Sequence, residues 1–318
     1  MPKSWRLLPH DREAIQKLAS ALRLPPAVAQ LLWNRGSQDA ESAGRFLDSS
    51  LRILHPPELL PGVNLAADRL IQAIREKKKI CIYGDYDVDG AAGTAILWRT
   101  LVSLGADATF YVPHRLDEGY GLNTRAVEEI AQSAQVIVTV DCGIANVAEV
   151  ELASRLGVEM IVTDHHEFGP RLPEAAAIVH PRLPGSTYPF AGLSGAGVAL
   201  KLAWAVCQRA AGSTRVTPAF REFLLDGVVL ASLGLIADVV PLHDENRALV
   251  VHGLKRLREA PSPGLKALLE VSGLAEQNPL RAEDVSFKLA PRLNAAGRLG
   301  SARLVVELLT TQSPHRAT

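Results

Sequence analysis

Residues 80–93 read Ile80-Cys81-Ile82-Tyr83-Gly84-Asp85-Tyr86-Asp87-Val88-Asp89-Gly90-Ala91-Ala92-Gly93. The first four are a short apolar run, as a buried strand requires. Asp85, Asp87 and Asp89 follow on alternate positions, where extended backbone points side chains the same way. Gly90 and Gly93 then allow a tight turn, and a helix is predicted over 91–104. Three acids crowded at a strand end repel one another unless something positive sits among them. For this stretch alone a plainer reading stays open, an acidic turn that caps a helix.

Two further runs end in a similar way. Residues 135–140 are apolar and β-branched and lead into Asp141-Cys142-Gly143, and residues 158–162 lead into Thr163-Asp164-His165-His166-Glu167. In an open parallel sheet the ligand site lies just beyond the carboxyl ends of the strands. Three strand ends therefore deliver Asp87, Asp89, Asp141, Asp164, His165 and His166 to one crevice. Carboxylates with imidazole, and no thiolate at a matching position, suit Mn²⁺ or Mg²⁺ better than zinc or an iron–sulfur cluster. A lone histidine is most often an ordinary structural residue. Adjacent histidines beyond a third such strand point to a metal.

The segments 83–90, 140–143 and 163–166 resemble the first three motifs of the DHH phosphoesterases, and Leu235-Ile236-Ala237-Asp238-Val239-Val240-Pro241-Leu242 resembles the fourth. Asn34-Arg35-Gly36, Glu118-Gly119-Tyr120-Gly121-Leu122 and Pro291-Arg292-Leu293-Asn294-Ala295-Ala296-Gly297-Arg298 direct the resemblance to the RecJ family of single-strand-specific 5′ exonucleases. The resemblance implies two Mn²⁺ or Mg²⁺ ions. By it Asp87 ligates the first ion, Asp89 and His165 the second, Asp141 bridges both and Asp238 completes the set. It assigns catalysis to Asp141, Asp89 and His166, with His166 near the scissile phosphate, and gives Asp85 and Asp164 the task of orienting the ligands. Tyr83 stands where some superfamily members carry a metal-binding histidine. The activity implied is phosphodiester hydrolysis, 5′ to 3′, on single-stranded DNA in repair and recombination. Two alternatives remain: a hydrolase of short oligonucleotides or cyclic dinucleotides, and a non-catalytic replication scaffold, against which the intact ligand set argues. Single-stranded DNA is the expected partner, with a single-strand-binding protein and a helicase as further candidates.

The 318 residues suffice for one large or two modest domains, and 47% hydrophobic content excludes a disordered chain. Lys and Arg number 34, as do Asp and Glu, which argues against indiscriminate polyanion binding but allows a local patch. Cys81, Cys142 and Cys207 form no Cys-x-x-Cys pair and are expected to be reduced packing residues of a cytoplasmic protein. The N-terminus lacks the apolar core of a signal peptide. The longest apolar stretch, 227–237, is too short to span a bilayer, so no membrane partner is expected.

From residue 63 onward helical and strand patterns alternate, which predicts an α/β, doubly wound, mostly parallel sheet. Residues 1–55 are expected to form a helical cap, with a nucleic-acid contact through Arg35 and Arg45 as the alternative. Residues 56–195 are the α/β domain, 196–300 its helical part carrying Asp238, and 301–318 the start of a connecting helix. RecJ-like chains continue there into a second domain, so this chain is expected to be the N-terminal portion of such a protein. Arg115, beyond a strand at the same edge as the acids, is either a surface ion pair or a phosphate contact, since guanidinium grips phosphate with a two-pronged fork. Residues 247–303 hold ten Lys and Arg against five Asp and Glu, a candidate nucleic-acid track or simply the solvated faces of helices. Arg292 and Arg298, flanking Asn294 and small residues that allow close backbone approach, are the sharper phosphate candidates. Aromatic residues make up only 5%, so any grip on single strands should be mostly backbone-directed.

Overall fold

The apolar run at Ile80 becomes the strand from which the rest of the sheet is laid out. A computed structural model describes residues 4, 8–114, 118–259, 261–298 and 302–318. Five strands, β1 (Ile80–Gly84), β2 (Ala108–Tyr111), β3 (Val136–Val140), β4 (Glu159–Thr163) and β5 (Ala177–Val179), pair in the order β2-β1-β3-β4-β5, every pair parallel. The chain goes from β1 outward to β2 and then returns to the other side of β1, so the strand order reverses between β1 and β3. That switch point opens a crevice at the carboxyl edge.

Both faces of the sheet are covered, which explains why β1 and β3 are buried at all five positions. Ile80, Ile82, Val138 and Ile161 face the larger core, shared with α4 (Val63–Arg75), α5 (Val88–Ser103) and the later helices. Cys81, Tyr83, Ile137 and Val162 face α6 (Thr124–Ala131) and α7 (Val147–Arg155). The three cysteines are free and buried. Before the sheet, α1 (Arg12–Leu22), α2 (Pro26–Asn34) and α3 (Ala40–Leu47) pack around their own small core of Ile15, Leu18, Ala29, Leu32 and Ala43.

After the sheet come α8 (Gly195–Ala211), α9 (Pro218–Ala237), α10 (Asp244–Glu259), α11 (Pro263–Val271), α12 (Ala290–Arg298) and α13 (Ala302–Thr310), with a short α14 (Pro314–Ala317). No helix among the described residues is long and apolar enough to cross a membrane.

The expected turn at Gly90 and Gly93 is corrected. Asp87 caps α5, which already begins at Val88, so both glycines lie inside the helix. They serve close approach: a Cβ on Gly90 would lie 2.5 Å from the Asp85 carbonyl oxygen, and one on Gly93 would lie 2.6 Å from Val140 Cγ1. Asp85, Asp87 and Asp89 are therefore not side by side on extended backbone. Asp87 caps the helix and Asp89 sits in its first turn.

The helical layer contains a fully buried ion pair. Lys201 on α8 meets Glu245 on α10 at 2.6 Å, with side chains 2% and 0% exposed. Lys201 Nζ also donates to the His55 carbonyl oxygen, and Tyr188 donates to Glu245. Removing one member leaves the other charge buried and uncompensated. Lys201→Met is expected to cost about 3–5 kcal/mol in urea denaturation. A loss below about 1 kcal/mol would show that Glu245 is neutralised in some other way.

Candidate metal centre

The strand ladder continues one residue past the strand ends, and this aligns the acids. Asp85 N–H donates to Val140 O at 3.1 Å, Asp141 N–H to Thr163 O at 3.1 Å, and Asp164 N–H to Val179 O at 3.2 Å. Asp85, Asp141, Asp164 and His180 thus each follow directly on a strand, in step across the carboxyl edge of β1, β3, β4 and β5. Asp141 also leaves the β region, with φ at +63°. Such backbone is uncommon outside glycine, although Asp tolerates it, and it gathers at functional sites.

Each acid is held differently. Asp87 Oδ1 accepts from the N–H groups of Asp89 and Gly90 at 2.9 and 3.0 Å, the ordinary bonds of a helix cap. Asp89 is 1% exposed and lies against the N-terminus of α8. It accepts from Ser194 Oγ at 2.7 Å, Gly195 N–H at 2.7 Å and Ala196 N–H at 3.1 Å. Close helix contact makes that seat: a Cβ on Gly234 of α9 would stand 2.2 Å from Asp89 Oδ1. Asp164 accepts from the N–H groups of His165, His166 and Ile144 at 2.7, 3.1 and 2.9 Å, and His166 Nδ1 lies 2.8 Å from it. Asp238 is the residue that ends α9.

His165 Nε2 joins these elements. It lies 3.0 Å from Asp141 Oδ1, 3.6 Å from Asp238 Oδ2 and 3.9 Å from Asp89 Oδ2. Three overlapping groups offer ligand atoms within 4.8 Å of one another: Asp85, Asp87 and Asp141; Asp141, His165 and His166; Asp89, His165 and Asp238. Asp141 and His165 each belong to two of them. Asp85 Oδ1, Asp141 Oδ1 and His165 Nε2 are buried without a hydrogen-bond partner among the described residues. Buried polar atoms of this kind are costly. Oxygen donors with one imidazole, converging from several directions, fit a hard dication such as Mn²⁺ or Mg²⁺.

The electrostatics point the same way. Burial, then the charge of Asp87, pushes the Asp85 carboxyl up to about 7. Burial, then Asp89 and Asp87, raises Asp141 well above the usual range. Burial with Asp87 and Asp238 raises Asp89, and burial with Asp87 lifts Asp238 to about 6. Burial alone would raise Asp164, but the bonds from His166 and Ile144 hold it below its ordinary value. The hydrogen bond to Asp164 raises His166 in turn. Burial, then the neighbouring His166, lowers His165 to about 4, leaving a neutral imidazole able to ligate.

Of the sequence candidates, Asp85, Asp87, Asp89, Asp141, Asp164, His165, His166 and Asp238 meet at this edge. Arg115 lies outside the described residues, as does the side chain of Arg298. Arg292 is exposed on α12 and donates to the Lys288 carbonyl oxygen at 2.7 Å. On the same helix Asn294 accepts from Val88 N–H at 3.2 Å, so α12 is seated on the turn between Asp85 and α5. Tyr83 is buried on the far face of the sheet, where its hydroxyl donates to Gly121 O at 3.0 Å.

Three groups carried no role in the sequence reading. Ser194 and Gly195 hold Asp89; their only signal was the loop they end. The Tyr120 hydroxyl donates to Asp141 O at 3.2 Å and lies 3.0 Å from His166 Nδ1. His180 accepts from Arg182 N–H at Nδ1, so its Nε2 carries the proton and donates to His166 O at 2.9 Å. Its position just past a fourth parallel strand could have marked it.

The profile of the DHH family, N-terminal domain, matches residues 79–231. RecJ of Bacillus subtilis (strain 168), a single-stranded-DNA-specific exonuclease, is 45% identical over 316 residues, covering 98% of this chain and 38% of the relative. RecJ of Thermus thermophilus is 40% identical over 314 residues, covering 98% and 44%. A crystal structure of Thermus thermophilus RecJ in complex with Mn²⁺ matches 97% of this chain and 42% of its own, with a TM-score of 0.80 and 37% identity. A crystal structure of exonuclease RecJ bound to manganese matches 83% and 64%, with a TM-score of 0.73 and 42% identity. The chain spans about two-fifths of the length of these curated relatives.

The repulsion among the acids has a measurable consequence. An acid raised in the folded state binds its proton more tightly folded than unfolded, so folding takes up protons and stability grows as pH falls. Asp85, at about 7, and Asp238, at about 6, work in this direction, as does the raised His166. The lowered His165 opposes them only below its unfolded value of about 6.5. In EDTA the thermal midpoint is expected to rise from pH 8 to about pH 6.5. With saturating Mn²⁺ the gain should vanish, because metal binding needs the deprotonated acids. A midpoint in EDTA that falls steadily over that range would contradict the repulsion.

Proposed function

We propose that this chain, similar to the DHH family and to its RecJ branch, hydrolyses phosphodiester bonds with two divalent cations, Mn²⁺ or Mg²⁺, releasing nucleotides from the 5′ end of single-stranded DNA. One observation carries the reading: Asp85 Oδ1, Asp141 Oδ1 and His165 Nε2 are buried without a hydrogen bond among the described residues, where three strand ends meet. Relatives solved with Mn²⁺ and Mg²⁺ support it.

In this proposal Asp87 uses the oxygen not engaged as a helix cap for the first ion, and Asp85 stands close enough to assist it. Asp141, which belongs to two of the three groups, would serve both ions. Asp89, His165 and Asp238 hold the second. Bound dications supply Lewis acidity, which lowers the pKa of water and neutralises charge on phosphoryl oxygens. The residues do the rest. Asp164 holds His166 by Nδ1 with its side chain 40% exposed, and Nε2, which the Tyr120 hydroxyl approaches at 3.2 Å, would donate to a phosphate oxygen or to a departing one. Arg115, Arg292 and Arg298 grip phosphates further along the strand. Residues 56–300 act as the catalytic unit, 1–55 as its cap and 301–318 as the start of a connector. A single-strand-binding protein and a helicase are proposed partners, and a cytoplasmic location accords with three free, buried cysteines.

The test is hydrolysis of 5′-labelled single- and double-stranded DNA by the chelator-stripped chain with Mn²⁺ added back. Nucleotide release from single strands alone is expected. Asp141→Asn keeps a residue that tolerates left-handed backbone while removing the charge. It is expected to lose at least about a hundredfold in rate, roughly 2.7 kcal/mol of barrier. Ser194→Ala withdraws one donor from Asp89 and is expected to weaken Mn²⁺ binding about 10–100-fold by calorimetry. Hydrolysis of dinucleotides without action on longer strands would replace the exonuclease by a short-oligonucleotide hydrolase. Neither Mn²⁺ binding nor hydrolysis of any substrate would leave the scaffold.

A further inference from the structure

Asn246 near the start of α10 is fully buried. Its Nδ2 donates to the carbonyl oxygens of Gly192 at 2.6 Å and Pro241 at 3.1 Å. Gly192 comes just before Ser194, which holds Asp89, and Pro241 comes just after Asp238. One side-chain amide therefore ties the loop that leads into Ser194 and Gly195, the donors to Asp89, to the loop that follows Asp238. Its Oδ1 finds no hydrogen-bond partner among the described residues. A buried amide with an idle acceptor is costly, and an apolar side chain of similar size would fill the space without that cost. Packing alone does not account for it.

The turn that it holds is also strained. Val239, directly after Asp238, has φ at +59°, and its side chain is 83% exposed. A β-branched residue in the left-handed region is a genuine outlier, and it persists only where its surroundings over-determine it. Exposed as it is, the Val239 side chain provides little of that restraint. The amide on Pro241 does. Without it, rotation at Val239 would relieve the strain and leave the chain that follows Asp238 without this tether.

We propose that Asn246 is a positioning residue that fixes the spacing of Asp89 and Asp238, and so sets the affinity of the site they form with His165 for a divalent cation. This rests on reading those three residues as a cation site, as proposed above. The experiment is calorimetric titration of Mn²⁺ into the chelator-stripped chain, with thermal midpoints taken alongside. Wild type, Asn246→Ala, and the double variant with Val239→Gly are compared. If wild type binds no Mn²⁺, it is the metal reading that fails. If it does bind, Asn246→Ala is expected to lose at least about tenfold in affinity at one of two sites while the other is kept. The double variant should recover part of the loss, because the strain is gone. Wild-type affinity in folded Asn246→Ala overturns the proposal, and so does an equal loss at both sites. If the single variant does not fold, the double variant decides: its failure to fold makes Asn246 a general core residue and likewise overturns the positioning role.

Discussion

Burying several carboxylates within a few ångströms of one another is the constraint on which this structure turns. Each loses its water and feels its neighbours' charge, and the protein meets that cost unevenly. Asp164, Asp89 and Asp87 on the flanks receive backbone, hydroxyl or imidazole donors. Asp85 and Asp141 in the middle each keep an oxygen without any. Protein donors thus fix the outer acids in place and leave the inner ones to be satisfied by positive charge from outside. A centre made this way is shaped in advance for a cation, and its ligands need little rearrangement to receive one.

That shape comes from how closely three helices approach the sheet. Buried small residues line α5, and Gly195 and Gly234 bring α8 and α9 to within a methyl group's width of the acids. A Cβ on Gly195 would stand 2.5 Å from Asp141 Oδ1. The apolar core and the polar centre are therefore one piece of packing, with the N-terminus of α8 supplying donors to Asp89 and the end of α9 supplying Asp238. Close approach serves binding here as much as stability.

Much of this was legible in the sequence. Apolar runs ending in Asp85, Asp141 and Asp164 announced parallel strands with their acids at one edge, because a strand buried on both faces must be apolar until it leaves the sheet. The pair at His165 and His166 marked the third end. The start of α5 was misplaced, since Asp-Gly suggests a turn, whereas the glycines serve close packing inside a helix. Ser194, Tyr120 and His180 act through contacts between residues 14 to 105 apart in the chain, and Asn246 pairs one such contact with another five residues away, so little local betrays them. Their roles depend on which loops meet, and only the folded chain specifies that.

The N-terminal helices stand apart energetically. Their core is separate and small, and the contacts that join them to the rest include a forked contact from Arg45 to Asp244 at 2.8 and 2.9 Å and the Arg247 guanidinium, which stacks 4.2 Å over Phe46 and donates to the Phe46 carbonyl oxygen at 2.8 Å. Elements joined by so few contacts open as a unit of their own, at a lower free energy than the global transition. Amide protons in α1–α3 should therefore exchange with solvent through local opening, while those at the heart of α5, α8 and α9 wait for the whole fold to come apart. On this expectation the candidate ligands are held by the layer slowest to open, insulated from fluctuations at its flank.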